Sequence, residues 1–218
     1  MEELDVDKLP PPGEYWAEPR YKEQGDQTQE PIYHAVGRTL SDWEILEVRF
    51  AMLFGQFVTA GGGAAQMAAG RVFGTIATNR GRREAIVEAS KVFFAFHREI
   101  GDDSQRKFDL LVKHFNKAAE LRNNIVHAHV IGISLDQKTM GFFLCPPHYS
   151  SKKNVTIFEM RAGDPWSQFL FKYRYTSDDI VGIGDKLRQL NGAVGLYFNS
   201  VMKFLIDQEM AQFARATK

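Results

Sequence analysis

The chain has 218 residues, of which 44% are hydrophobic, 25% charged and 12% aromatic, enough for one sizeable buried core and unlike a disordered or fibrous composition. Its 27 basic and 27 acidic side chains balance, so it lacks the strong positive excess of a dedicated nucleic-acid binder. The single cysteine, Cys145, excludes an internal disulfide framework and cysteine-rich metal clusters. With no basic-then-apolar leader and no apolar run of spanning length, the expected setting is a reducing cytoplasm, away from membranes.

The charge balance hides an asymmetry. Residues 1 to 31 hold nine acidic side chains against three basic ones, and the rest of the chain is correspondingly basic, a mild bias toward an anionic partner. Residues 1 to 34, with "KLPPPGEYW" and "EQGDQTQEP", are polar, acidic and broken by Pro and Gly, and read as an extended arm preceding one domain over residues 35 to 218. A second reading makes the arm a recognition segment that docks Tyr15 and Trp16 on a partner.

From Thr39 the pattern turns helical, with Leu40, Trp43, Phe50, Leu53 and Phe57 at spacings of three and four, or their sums. Ser41 is a candidate N-cap, with Glu44 completing a capping box. The "GGG" at 61 to 63 reads as a helix-to-helix turn, because neither a GK[ST] ending nor a preceding strand accompanies it. Helices follow over about Ala64 to Thr78 and Arg82 to His97, separated by "NRG". A fourth opens at Asp102 or Asp103, whose carboxylates suit a helix N-terminus, and runs through Phe108, Leu111, Phe115, Leu121 and Ile125 into "LRNNIVHAHV".

Beyond it, "HVIGISL" and "TMGFFLC", joined by the turn signal "DQKT", predict an antiparallel β insert over about 130 to 175, to which "NVTIFEM" and "FLFKYRY" are candidates to add strands. A last helix opens at "TSDDI". It carries Ile180, Ile183, Leu187, Leu190, Val194, Tyr197, Val201 and Phe204 near a seven-residue repeat, a seam for a bundle or for a second copy. The fold class is therefore mainly α, with a small antiparallel insert before the last helix.

The densest chemistry lies in Leu121 to Val130. On a continuous helix Arg122 and His129 lie about 20° apart in projection, and Asn123 and His127 are neighbours. Arginine offers a permanently charged planar fork suited to phosphate; histidine gives and takes protons near neutrality. Those are the components of a metal-free phosphodiester cleavage: one group moves protons and another stabilises charge on the phosphoryl oxygens. RNA brings its own nucleophile, the 2′-hydroxyl. One histidine per helix supplies only one proton-transfer group, so this reading calls for two copies face to face.

"RNNIVH", Arg122 to His127, resembles the R-N-x-x-x-H form of the R-x(4–6)-H motif of the HEPN superfamily, the higher eukaryote and prokaryote nucleotide-binding domains. The likeness extends to the layout, from "DWEILE" near the start of a helix through a helical hairpin to a long helix ending in the motif. It implies a HEPN-like bundle of four to five helices and a metal-independent, homodimeric endoribonuclease with no cofactor. Products would carry 2′,3′-cyclic phosphate and 5′-hydroxyl ends, and a toxin or phage-defence role under an antitoxin is implied as well. Carried over, Arg122 stabilises the transition state, Asn123 orients the pair and His127 is the general acid/base. His129 fits the longer spacing, so the two histidines compete for that role. A tyrosine that some toxin members carry two residues after the histidine is replaced here by His129.

Other readings stand beside this one. The fold is also compatible with a catalytically silent dimerisation or binding module, with Arg122, Asn124 and His127 serving the helix end. His127 and His129 with His114 or His148 form a candidate metal set, weakened by two histidines that point apart at i, i+2 and by the want of an acidic partner at ligand spacing. Candidate RNA contacts are Asn124 and the basic cluster Arg80, Arg82 and Arg83. "KYRY", Lys172 to Tyr175, would stack bases or simply alternate on a half-buried strand.

Overall fold

The computed structural model describes residues 5–60, 62–135, 137–150 and 171–216. The helices are α1 (Pro12–Tyr15), α2 (Glu30–Thr59), α3 (Gly63–Thr75), α4 (Asn79–Phe96), α5 (Asp102–Val126) and α6 (Ser177–Ala216), and a hairpin of β1 (His129–Leu135) and β2 (Lys138–Cys145) follows α5. The fold is mainly helical with a small two-stranded antiparallel sheet between helices, as the sequence predicts. None of the described helices is long and apolar enough to cross a membrane. "NVTIFEM" and Trp166 lie outside the described residues.

The residues fall into two units, each drawn from distant parts of the chain. One comprises Met1–Tyr15, Glu44–Asn116 and Arg188–Lys218; the other comprises Trp16–Trp43 and Lys117–Leu187. The first is an aromatic core. Phe57 packs against Phe93 and Phe108 with ring centroids 5.0 Å away in each case, Phe50 meets Phe115 at 4.3 Å, and Phe54 meets Phe73 at 5.0 Å. Rings of this size bury much apolar area and interlock at offset or edge geometries, which explains why phenylalanine dominates the aromatic composition.

Helix α2 begins at Glu30, well before the Thr39 start expected from the sequence. Ile32, Ala35 and Thr39 are buried and continue the stripe of Trp43, Leu46, Phe50, Leu53 and Phe57 toward the N-terminus. Pro31 is no obstacle, because the first turn has no intrahelical acceptor for its missing N–H. Ser41 is therefore helix interior, not an N-cap. Helix α4 likewise starts earlier than Arg82, capped by Thr78, whose Oγ1 accepts from the Gly81 amide at 3.0 Å. The α6 seam is buried within the chain, with Leu205 in the place expected of Phe204.

The N-terminal segment differs most from expectation. It is not an arm in solvent: Val6, Leu9, Tyr15 and Trp16 are buried, and Asp7 pairs with Arg106 at 2.8 Å. In the second unit it forms a strap. Gly25 donates to the Met140 carbonyl at 2.7 Å, and Asp26 exchanges backbone hydrogen bonds with Phe142 at 3.0 and 2.8 Å. These cover part of the free edge of β2, and a further bridge between Leu144 and Tyr175 covers more of it. The approach requires glycine at 141, where φ is +102° and an added Cβ would sit 2.6 Å from the Asp26 carbonyl oxygen.

The strap also caps α6. The Asp26 carboxylate accepts from the Ser177 amide at 2.8 Å and from the Ser177 hydroxyl, placing a negative charge at the positive end of the helix. Thr176 and Asp179 complete a capping pair, with Asp179 Oδ2 accepting from the Thr176 amide at 2.9 Å, and Lys22 lies 3.3 Å from Asp179.

Two stability predictions follow from these arrangements. Asp26→Ala leaves the backbone bridge to Phe142 intact but removes the cap on α6, and should lower stability by about 1–2 kcal/mol in urea unfolding. His114, fully buried in the first unit beside Tyr15, is pushed down to about 4 by burial. Between its ordinary value of 6.5 and about 4, the unfolded chain takes up a proton that the folded chain refuses. Its contribution is thus complete above pH 6.5 and lost as pH falls toward 4, on the order of 2–3 kcal/mol. His114→Leu should flatten the dependence of the urea midpoint on pH over that interval.

Candidate functional site

Helix α5 ends at Val126, inside the motif and not after it. The His127 amide still closes a helical hydrogen bond to the Asn123 carbonyl at 3.2 Å, and Ala128 donates to Ile125 at 3.3 Å in a tighter final turn. The chain then leaves as β1, whose first residue is His129. The helical projection that put His129 near Arg122 does not apply, because the helix stops three residues before it. His127 and His129 are exposed, whereas Arg122, Asn123 and Asn124 are half-buried.

Five helical residues rotate by about 140°, so Arg122 and His127 leave α5 in different directions. The Arg122 guanidinium carbon lies 5.8 Å from the centroid of the Trp43 ring, within cation–π range, and its Nη1 donates to Asn123 Oδ1 at 3.3 Å. Its Nε is buried without a hydrogen-bond acceptor among the described residues. Asn123 thus contacts the arginine.

Asn124, expected to contact RNA, is hydrogen-bonded within the second unit. Its amide donates to Glu18 Oε1 at 2.8 Å and to the Tyr175 hydroxyl at 3.3 Å, while the Tyr173 hydroxyl donates to the Asn124 carbonyl at 3.0 Å. Tyr175 also donates to the second Glu18 oxygen. Tyr173 and Tyr175 are both buried and stack on each other at 4.7 Å, so the aromatic half of "KYRY" is not open to bases. Burial and the Glu18 carboxylate both hold the Tyr175 hydroxyl above the usual phenol range, which keeps it a donor.

Arg80, Arg82 and Arg83 belong to the first unit. Arg82 is a tie between elements: Nη1 pairs with Glu47 at 3.0 Å and Nε donates to the Ile76 carbonyl at 2.9 Å. Arg83 donates to Asn116 at 3.3 Å, and exposed Arg80 pairs with Glu84 at 2.8 Å. The cluster is largely neutralised by its own acidic neighbours.

What the structure does bring together is histidine. An open cavity of about 530 Å³ is lined by Val126, His127, His129, Pro147, His148 and Tyr149, among others. The β hairpin causes the convergence: His129 pairs with Cys145 in the antiparallel register, so the residues just after β2 return beside those just before β1. The rings of His129 and His148 stand edge to face with centroids 6.2 Å apart, His148 is 5.5 Å from Phe171, and Tyr149 is 90% exposed. Sequence reasoning named His148 only as a metal ligand and missed Tyr149, though extending the hairpin register past Cys145 leads toward both. Among the described residues, no group of three or more His, Cys, Asp or Glu side chains is arranged to hold a metal ion.

Comparison with protein-family models, curated proteins and solved structures gave no match to this chain.

The hydrogen-bonded network around Asn124 predicts coupling. Glu18→Ala leaves the Tyr175 hydroxyl and the Asn124 amide with fewer acceptors and should cost about 1–3 kcal/mol. Tyr175→Phe made in the Glu18→Ala background should cost much less than in the wild type. A double-mutant cycle in urea should return a coupling of about 1 kcal/mol or more, and additive effects would refute the network.

Proposed function

We propose that the chain is a metal-independent endoribonuclease that cleaves single-stranded or looped RNA at the cavity beyond α5, leaving 2′,3′-cyclic phosphate and 5′-hydroxyl ends. The observation that carries this reading is the convergence of His127 and His129 on one open cavity of about 530 Å³ immediately after the Arg122–Asn123 pair. Imidazoles move protons at the attacking and leaving oxygens, and the exposed Tyr149 ring offers a stacking surface that tolerates any base.

Arg122 stabilises charge on the phosphoryl oxygens. It does not line the cavity of its own histidines, so in the homodimer that the HEPN resemblance implies, it serves a phosphate held at the histidines of a second copy. A toxin or phage-defence setting, with an antitoxin as regulator, belongs to the same resemblance. The position of Arg122 over Trp43 favours a second reading, a HEPN-like module that dimerises or binds a nucleotide or protein without catalysis.

Incubation of RNA with the wild type, Arg122→Ala, His127→Ala and His129→Ala in EDTA separates the two. The ribonuclease reading expects chelator-resistant cleavage that falls at least about 100-fold in Arg122→Ala and in one histidine variant. Cleavage that survives all three substitutions, or that EDTA abolishes, would falsify it.

A further inference from the structure

The motif reading supplies one proton-transfer histidine per chain, whereas cleavage of the P–O5′ bond needs two proton transfers. The hairpin brings another imidazole to the same cavity from a different element. We propose that His148 is a catalytic residue and that it forms the acid–base pair with His127 in one chain; this rests on the ribonuclease reading above.

Three features lead here. His127 closes the last turn of α5, and His148 lies just beyond β2, so the two reach the cavity from separate backbone segments. In-line displacement needs that separation, because the attacking and leaving oxygens sit on opposite sides of phosphorus. His129 is in ring contact with His148, edge to face at 6.2 Å, which suits a positioning neighbour better than a group across the phosphate. The Phe171 ring, 5.5 Å from His148, adds a further contact to its imidazole.

The reaction closes without a co-reactant. One histidine of the pair takes the 2′-hydroxyl proton as the 2′-oxygen bonds to phosphorus; the other donates a proton to the 5′-oxygen as the P–O5′ bond breaks. The second copy is then needed for its arginine and not for proton transfer.

The test uses the full-length chain and two substrates, an RNA oligonucleotide and a uridine 3′-(p-nitrophenyl phosphate), whose leaving group departs without a proton. His148→Ala and His127→Ala should each lose at least about 100-fold on RNA. One of the two variants, not both, should retain near wild-type cleavage of the nitrophenyl ester, since the general acid alone becomes dispensable. His148→Gln should match the loss on RNA with a thermal unfolding profile like that of the wild type, which separates chemistry from folding. Mixing His127→Ala with His148→Ala chains should restore nothing, because both groups are required in one cavity.

Wild-type-like cleavage of RNA by His148→Ala, retention or loss of the ester activity by both variants, or recovery on mixing would overturn the assignment of His148 while leaving the ribonuclease reading in place. A wild type that does not cleave RNA would overturn both.

Discussion

Two carboxylates of the N-terminal strap hold the second unit together, and the candidate site depends on them. Glu18 accepts from Asn124 near the end of α5 and from Tyr175, and Asp26 caps α6 while its backbone pairs with β2. A carboxylate offers several acceptor sites, and a charged acceptor makes stronger hydrogen bonds than a neutral one, so each residue joins elements that no apolar contact of comparable size would orient. The hairpin must lie at a set angle to the end of α5 for His148 to return beside His127, and these bonds constrain that angle. The acidity of the first thirty residues is thus partly internal chemistry.

The polar motif of α5 is divided by helix geometry into two kinds of side chain. Arg122 and Asn124 leave nearly opposite sides of the helix and both are engaged within the second unit, one over Trp43 and the other on Glu18 and Tyr175. His127 leaves the final turn on the exposed side. A rotation of about 140° between positions five apart makes it hard for both members of an R-x-x-x-x-H pair to face one cavity of the same chain. In the proposed homodimer, that angle is the reason the guanidinium is assigned to a second copy.

The first unit contributes stability of a different origin. Its interlocking phenylalanines bury area without polar groups to satisfy, and its one fully buried imidazole, His114, is held neutral by burial down to about pH 4. Arg82 and Glu47 form a largely shielded pair, and Arg80 with Glu84 an exposed one, so the basic cluster that stands out in the sequence carries little unbalanced charge.

The sequence by itself determined the mainly helical class, the course of α5 from Asp102 into the motif, the hairpin that follows and the opening of the last helix at "TSDDI". Periodicity, N-terminal carboxylates and turn residues are local signals, and local signals survive without knowledge of partners. It read the strap as an extended arm, began α2 too late and kept His129 on a helix. Those outcomes turn on what the segments meet: a polar, Pro-broken stretch is ordered when Met140, Phe142, Asn124 and Ser177 accept or donate to it, and a helix ends where a strand pairing takes over its next residue. Only the tertiary structure decided that Arg122 faces Trp43 and that His148 joins His127, because hydrogen bonding between strands brings together residues that helical spacing along one segment cannot relate.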